Sequence, residues 1–129
     1  MLQVTAAALT SACKVLAHPA SVDSIPTSGN REDHVSMGMG AALKLKQVLA
    51  NLRKILAIEL LCASQGIDFL CPLQPGVGGK RTHALVRSVS PALQKDRSLA
   101  PDIELLEDMI ERKRFAAILK TCGSRLQPR

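Results

Sequence analysis

Apolar residues dominate from Leu2 to Val15, where only Gln3, Thr5, Thr10, Ser11 and Lys14 are polar, and this predicts a helix with little polar surface. His18-Pro19 and Ile25-Pro26 then stop regular structure. Residues 16–30 read as an irregular but ordered segment, because Ser21, Asp23, Ser24, Thr27 and Ser28 can each bond nearby backbone groups. A helical period follows from His34 or Val35 to Phe69, long enough to span roughly 50 Å. Gly38, Gly40 and Gly66 are its weak points, and the first two leave open a start nearer Ala41.

The long helix changes character along its length. Lys44, Gln47, Asn51 and Lys54 form a polar stripe, and Leu45, Val48, Leu49, Leu52 and Leu56 are offered to a core on the other side. Residues 55–63 read Ile-Leu-Ala-Ile-Glu-Leu-Leu-Cys-Ala, with Glu59 as the only charge. A helix apolar on nearly every side wants neighbours on every side. A chain of 129 residues with three or four helices can hardly supply them, so the pattern points to a larger helical assembly.

Cys71-Pro72 ends this helix, and residues 74–80 read as a loop turned by Pro75 and the glycines. Arg81 after Gly79-Lys80 excludes a phosphate-binding P-loop. A short helix is predicted over 81–89, stopped by Ser90-Pro91, and residues 92–101 are extended or turned. One last helix is predicted over 102–120. Asp102, Glu104, Glu107 and Asp108 lie early in it and Arg112, Lys113, Arg114 and Lys120 late, which suits the backbone dipole. Gly123 is the expected C-cap, followed by a frayed tail.

Composition supports an all-α fold in a single helical domain covering residues 1–129. There is no Trp or Tyr and only two Phe, so aliphatic residues and Met must fill the core. The net charge of +6 comes from scattered Lys and Arg with no aromatic residues between them to stack bases, which argues against a nucleic-acid site. No apolar run is long enough for a membrane span, and the start lacks the pattern of a signal peptide. Cys13, Cys62, Cys71 and Cys122 form no CxxC pair, so free thiols in the cytoplasm are expected and a structural zinc site is not.

The densest polar cluster is Asn30-Arg31-Glu32-Asp33-His34. One reading is structural, with acidic residues capping the long helix and favouring its dipole. The other is functional. Glu32 or Asp33 could accept a hydrogen bond from an ammonium or imidazole group, or move a proton if buried. His34 lacks an evident partner, His18 reads as structural, and His83 as a surface or interface residue. No spacing supports a metal site.

Three stretches resemble the C-terminal half of the histidine ammonia-lyases, in the aromatic amino acid lyase family. They are Val4-Thr-Ala-Ala-Ala-Leu9, the block from Lys14-Val-Leu-Ala-His-Pro to Thr27-Ser28, and Glu32-Asp-His-Val-Ser-Met-Gly38. Arg53 to Ala63, Pro72-Leu-Gln-Pro-Gly76, Asp96-Arg97 and Pro101-Asp-Ile103 also fit. The resemblance implies a long-helix bundle fragment of a mostly helical tetramer, whose active sites draw residues from several subunits. It also implies a role in removing ammonia from L-histidine to give trans-urocanate, through an electrophilic methylidene-imidazolone built from an internal Ala-Ser-Gly.

By this resemblance Glu32 matches the active-site glutamate of a Gln-Glu-Asp-His motif and would contact the substrate's amino or imidazole group, with Asp33 and His34 supporting it. Two departures stand out. Gly29-Asn30-Arg31 replaces the family's Ala-Asn-Gln, setting a cation beside the carboxylate, and Ser11-Ala12-Cys13 replaces Ser-Glu-Asn. The Ala-Ser-Gly and the catalytic tyrosine are absent, and Thr27-Ser28-Gly29 occupies the family's Thr-Ser-Ala position, so no cofactor is expected in this chain. The resemblance therefore implies an isolated chain without activity: a fragment, or one half of a split lyase that binds L-histidine only when an N-terminal piece completes it. A non-enzymatic helical module for homo-oligomerisation or interaction is the alternative.

Overall fold

A computed structural model describes residues 1–123, with side chains through Lys120. It is built of five helices: α1 Leu2–Leu16, α2 Gly38–Phe69, α3 Val77–Arg87, α4 Ala100–Glu111 and α5 Ala116–Gly123. A one-turn 3-10 helix at Ala20–Val22 interrupts the segment after α1. No strand occurs among the described residues beyond an isolated bridge between Thr27 and Glu32. The chain divides into two compact units, Met1–Leu52 and Arg53 onward.

In the first unit α1 buries nothing fully. Leu2, Ala6, Leu9, Cys13 and Leu16 are half-buried at alternating spacings of four and three, which is one helical stripe. The start of α2 falls at Gly38, between the two predicted starts. Two members of the polar stripe of α2 find partners here: the buried Asn51 accepts a hydrogen bond from the exposed Gln47 (3.1 Å), and the half-buried Lys44 donates to the carbonyl of His18. Leu45, Leu49 and Leu52, expected to face a core, are instead 58%, 49% and 44% exposed, and only Val48 of that set in this unit is half-buried. The Gln47 amide and the Lys44 ammonium have found acceptors within the unit, while the leucines are left about half exposed.

The second unit holds all the buried apolar side chains among the described residues: Ala57, Ile58 and Leu61 of α2, Val86 of α3, and Leu106 and Met109 of α4. In the rest of the 55–63 stretch Ile55 and Leu60 are half-buried and Leu56, Glu59, Cys62 and Ala63 are exposed. Leu56, Glu59, Leu60 and Ala63 line an apolar cleft of about 570 Å³ with Ile110, Phe115 and Leu119.

Three boundaries differ from the sequence reading. α3 begins at Val77, with Lys80 N–H bonded to the Gly76 carbonyl at 2.9 Å, so the glycines expected in a loop form its first turn. α4 begins at Ala100 because Pro101 fits a first turn that needs no N–H donor. The single helix predicted over 102–120 breaks at Lys113, whose φ is +56°. Arg114 N–H reaches back to the Met109 carbonyl and Lys113 N–H to that of Ile110, both at 3.0 Å, which is the double bond of a Schellman cap. The tail expected to fray lies outside the described residues.

Candidate functional site

The cluster around Glu32 lies in the loop between α1 and α2, and two cross-links shape it. Ser24 makes the first: its hydroxyl accepts from Val35 N–H (2.8 Å) and donates to the Val35 carbonyl (3.2 Å), so one side chain imitates a strand pairing. The second is the backbone bridge, with Thr27 N–H to the Glu32 carbonyl at 3.0 Å and Glu32 N–H to the Thr27 carbonyl at 3.4 Å. Beyond the Thr27–Glu32 bridge Ser28, Gly29 and Asn30 reverse the chain with φ of +55°, +66° and +64°. Three consecutive left-handed residues are unusual, and Gly and Asn are the residues that tolerate the conformation best.

Glu32 sits at the edge of this turn. Its side chain is exposed, and Thr27 Oγ1 donates to Oε2 at 3.1 Å. Oε1 remains available to accept from an incoming N–H. Arg31 and Asp33 are exposed and make no hydrogen bond or ion pair among the described residues, so the structure gives Glu32 a hydroxyl rather than the neighbouring guanidinium. The capping reading of the cluster fails. α2 starts four residues beyond His34, and neither Glu32 nor Asp33 reaches its first turn. His34 instead lines a small cleft of about 160 Å³ with Ser21, Asp23, Ser36 and Met37, while Glu32 is not among its walls.

The densest polar network lies elsewhere, in the second unit, and sequence reasoning did not assemble it. Arg87, at the end of α3, donates through Nε and Nη2 to Asp68 Oδ2 (3.0 and 2.6 Å) and through Nη1 to the Ser90 carbonyl (3.0 Å). His83 Nε2 lies 2.7 Å from Asp68 Oδ1, so this histidine, read from the sequence as a surface or interface residue, is half-buried and paired within the chain. Gln65 Oε1 accepts from Leu93 N–H (2.8 Å) and, more weakly, from Arg87. Ser90 and Arg97 close on the buried Asp102, the guanidinium spanning both carboxylate oxygens at 2.9 and 2.7 Å.

Both aspartates are held below their ordinary carboxylate value. Burial pushes Asp68 up, but the hydrogen bonds and charges of His83 and Arg87 outweigh it. For Asp102 the Arg97 hydrogen bond leads, and Ser90 adds to it against the cost of burial. By these hydrogen bonds the network ties the end of α2 to the end of α3 through Asp68 and Arg87, and the segment before α4 to Asp102 through Ser90 and Arg97. The legible signals were two spacings, Gln65 with Asp68 on α2 and His83 with Arg87 on α3, each one helical turn apart.

Among the described residues no three His, Cys, Asp or Glu side chains gather as a metal site. No helix among the described residues is long and apolar enough to cross a membrane. The chain also contains no Ala-Ser-Gly, and Thr27-Ser28-Gly29, which approximates it, is spent on the left-handed turn. The residues present do not fit the formation of a methylidene-imidazolone.

Comparison with known proteins adds the frame for the loop. The chain is 54% identical over 122 residues to a histidine ammonia-lyase of Natranaerobius thermophilus, covering 94% of this chain and 24% of that protein. Among solved structures it superposes on 23% of the histidine ammonia-lyase of Trypanosoma cruzi (TM-score 0.87, 46% identity, 92% of this chain covered). It also superposes on 23% of a tyrosine aminomutase from Streptomyces globisporus (TM-score 0.83, 38% identity, again 92% covered). The chain thus spans about a quarter of the length of the relatives it matches. Residues 1–90, which carry α1, the braced loop and all of α2, match the profile of the family described as aromatic amino acid lyase, and the chain belongs to that family.

Proposed function

We propose that this chain supplies one segment of a histidine ammonia-lyase active site, with Glu32 as its substrate-contacting carboxylate, and that the deamination of L-histidine to trans-urocanate requires the remaining three quarters of a lyase. The observation that carries the reading is the identity of 54% spread over 94% of the chain yet only 24% of a histidine ammonia-lyase. The loop supports it, because an exposed carboxylate on a doubly braced turn is ready to meet a substrate N–H. In this reading the electrophile comes from the remaining part of the lyase, outside the residues that this chain contributes. A cytoplasmic location is part of the same reading, with which Cys13, Cys62 and Cys71 as free thiols are compatible.

The test is complementation. Mixing the chain with a lyase piece lacking this segment, and following urocanate by its ultraviolet absorbance, is expected to give product only from the mixture. A folded complex that makes none would overturn the reading.

A second reading has its own observation. Leu45, Leu49 and Leu52 are exposed one turn apart along α2, and exposed apolar patches mark interfaces. An interaction module, binding copies of itself or a full-length lyase, would use this face without chemistry. Complex formation without urocanate would favour it.

A further inference from the structure

We propose that Thr27 is a positioning residue for the Glu32 carboxylate, acting through its hydroxyl while its backbone sets the register of the loop; the inference rests on the reading of Glu32 as the substrate-contacting group. Glutamate has three side-chain torsions, and an exposed one samples several rotamers unless something holds it. Here two different parts of one residue hold it. The Thr27 main chain pairs with the Glu32 main chain in both directions (3.0 and 3.4 Å), which fixes where the Glu32 Cα lies. The Thr27 hydroxyl then donates to Oε2 at 3.1 Å, which fixes where the carboxylate points.

Three features make this more than a chance surface contact. A β-branched side chain at Thr27 has few χ1 choices, so its hydroxyl is directed before Glu32 meets it. The turn between the partners, Ser28-Gly29-Asn30, is left-handed throughout, so the pairing is set by a specific backbone path and not by a slack loop. The second brace from Ser24 to Val35 keeps the outer ends together. Among the described residues only Oε2 of the carboxylate is engaged, so positioning does not use up the acceptor that a substrate needs. The adjacent Arg31, the obvious electrostatic partner by sequence, is exposed and makes no ion pair or hydrogen bond with Glu32 among the described residues.

The experiment compares Thr27→Val, which keeps the branched shape and loses the hydroxyl, with Thr27→Ser, which keeps the hydroxyl. Three-bond couplings of the Glu32 methylenes, measured by NMR on the chain itself, report its rotamers, and exchange of the Thr27 and Glu32 amides reports the backbone rung. One dominant Glu32 rotamer is expected in the parent and in Thr27→Ser, and averaged couplings in Thr27→Val, with amide protection equal in all three. Averaging already in the parent, a fixed rotamer in Thr27→Val, or averaging in Thr27→Ser would overturn the proposal. Loss of the rung in Thr27→Val alone would also overturn it, since the hydroxyl would then serve the backbone. In the complemented lyase, Thr27→Val is expected to lower kcat by about threefold to tenfold, the scale of one hydrogen bond, with KM unchanged and Thr27→Ser recovering the rate. Glu32→Gln separates the two ideas. If it leaves kcat intact, the role of Glu32 itself falls. If it lowers kcat while Thr27→Val does not, only the positioning role falls.

Discussion

Asp68 and Asp102 show at the scale of single residues what a buried or half-buried carboxylate needs. Each has a guanidinium and at least one further donor, and each titrates below its ordinary value of 3.8. In the pH range around that value the unfolded chain binds more protons than the folded one. The stabilisation is therefore fully present above about 3.8 and is lost as pH falls through the lower folded values. Replacing Asp102 by Asn removes the charge from a site only 6% exposed, and leaves Arg97 without its anion. Urea unfolding at pH 6 should show Asp102→Asn less stable by about 1–3 kcal/mol. Between pH 4 and the acid limit its stability should fall less steeply than the parent's, the remaining slope coming from Asp68. An unchanged slope would mean that the Arg97 clamp carries no net charge stabilisation.

Whole elements were legible where the punctuation is local. The prolines at 19, 26, 72 and 91 and the periodic apolar runs place α1, α2 and α3 to within a few residues, because a proline acts on its own neighbours whatever the tertiary context. The break between α4 and α5 was not legible, for a physical reason. Helix ends of the Schellman type are signalled by Gly at the left-handed position, and here that position is held by Lys113 at φ +56° inside a run of good helix formers. The rung between Thr27 and Glu32 was hidden in the same way, since it depends on Ser28 and Asn30 also adopting positive φ. The Asp68–Arg87 network joins residues nineteen apart, which no short spacing encodes. Glu32 stood out only as part of a polar cluster, and the role proposed for it starts from family resemblance. If Lys113 does carry the strain of a left-handed Cβ, Lys113→Gly should stabilise the chain by about 1 kcal/mol and raise Tm by a few degrees in calorimetry. A loss of stability would show that the lysine side chain contributes more at the rim of the apolar cleft than its backbone costs.

On the scale of the whole molecule, the question is what the uncovered surface is for. Six apolar side chains are buried among the described residues, all in the second unit, while Leu45, Leu49 and Leu52 of the first are about half in water. Leaving such leucines exposed forgoes about 25 cal/mol for each Å² that a partner would cover, so a face of this kind favours association. The same three residues contribute little to the unit's own burial, and this separates folding from assembly in one experiment. Replacing all three by Gln should leave helical circular dichroism and the unfolding midpoint nearly unchanged. In sedimentation it should shift the chain from an assembled species, or from a complex with a complementing lyase piece, toward the mass of a monomer. If the parent chain is already a cooperative monomer that no lyase piece engages, the leucines are surface residues and the second reading of the function is lost. If instead the triple variant unfolds, the face is part of a core, and the account of α2 as a helix awaiting neighbours fails with it.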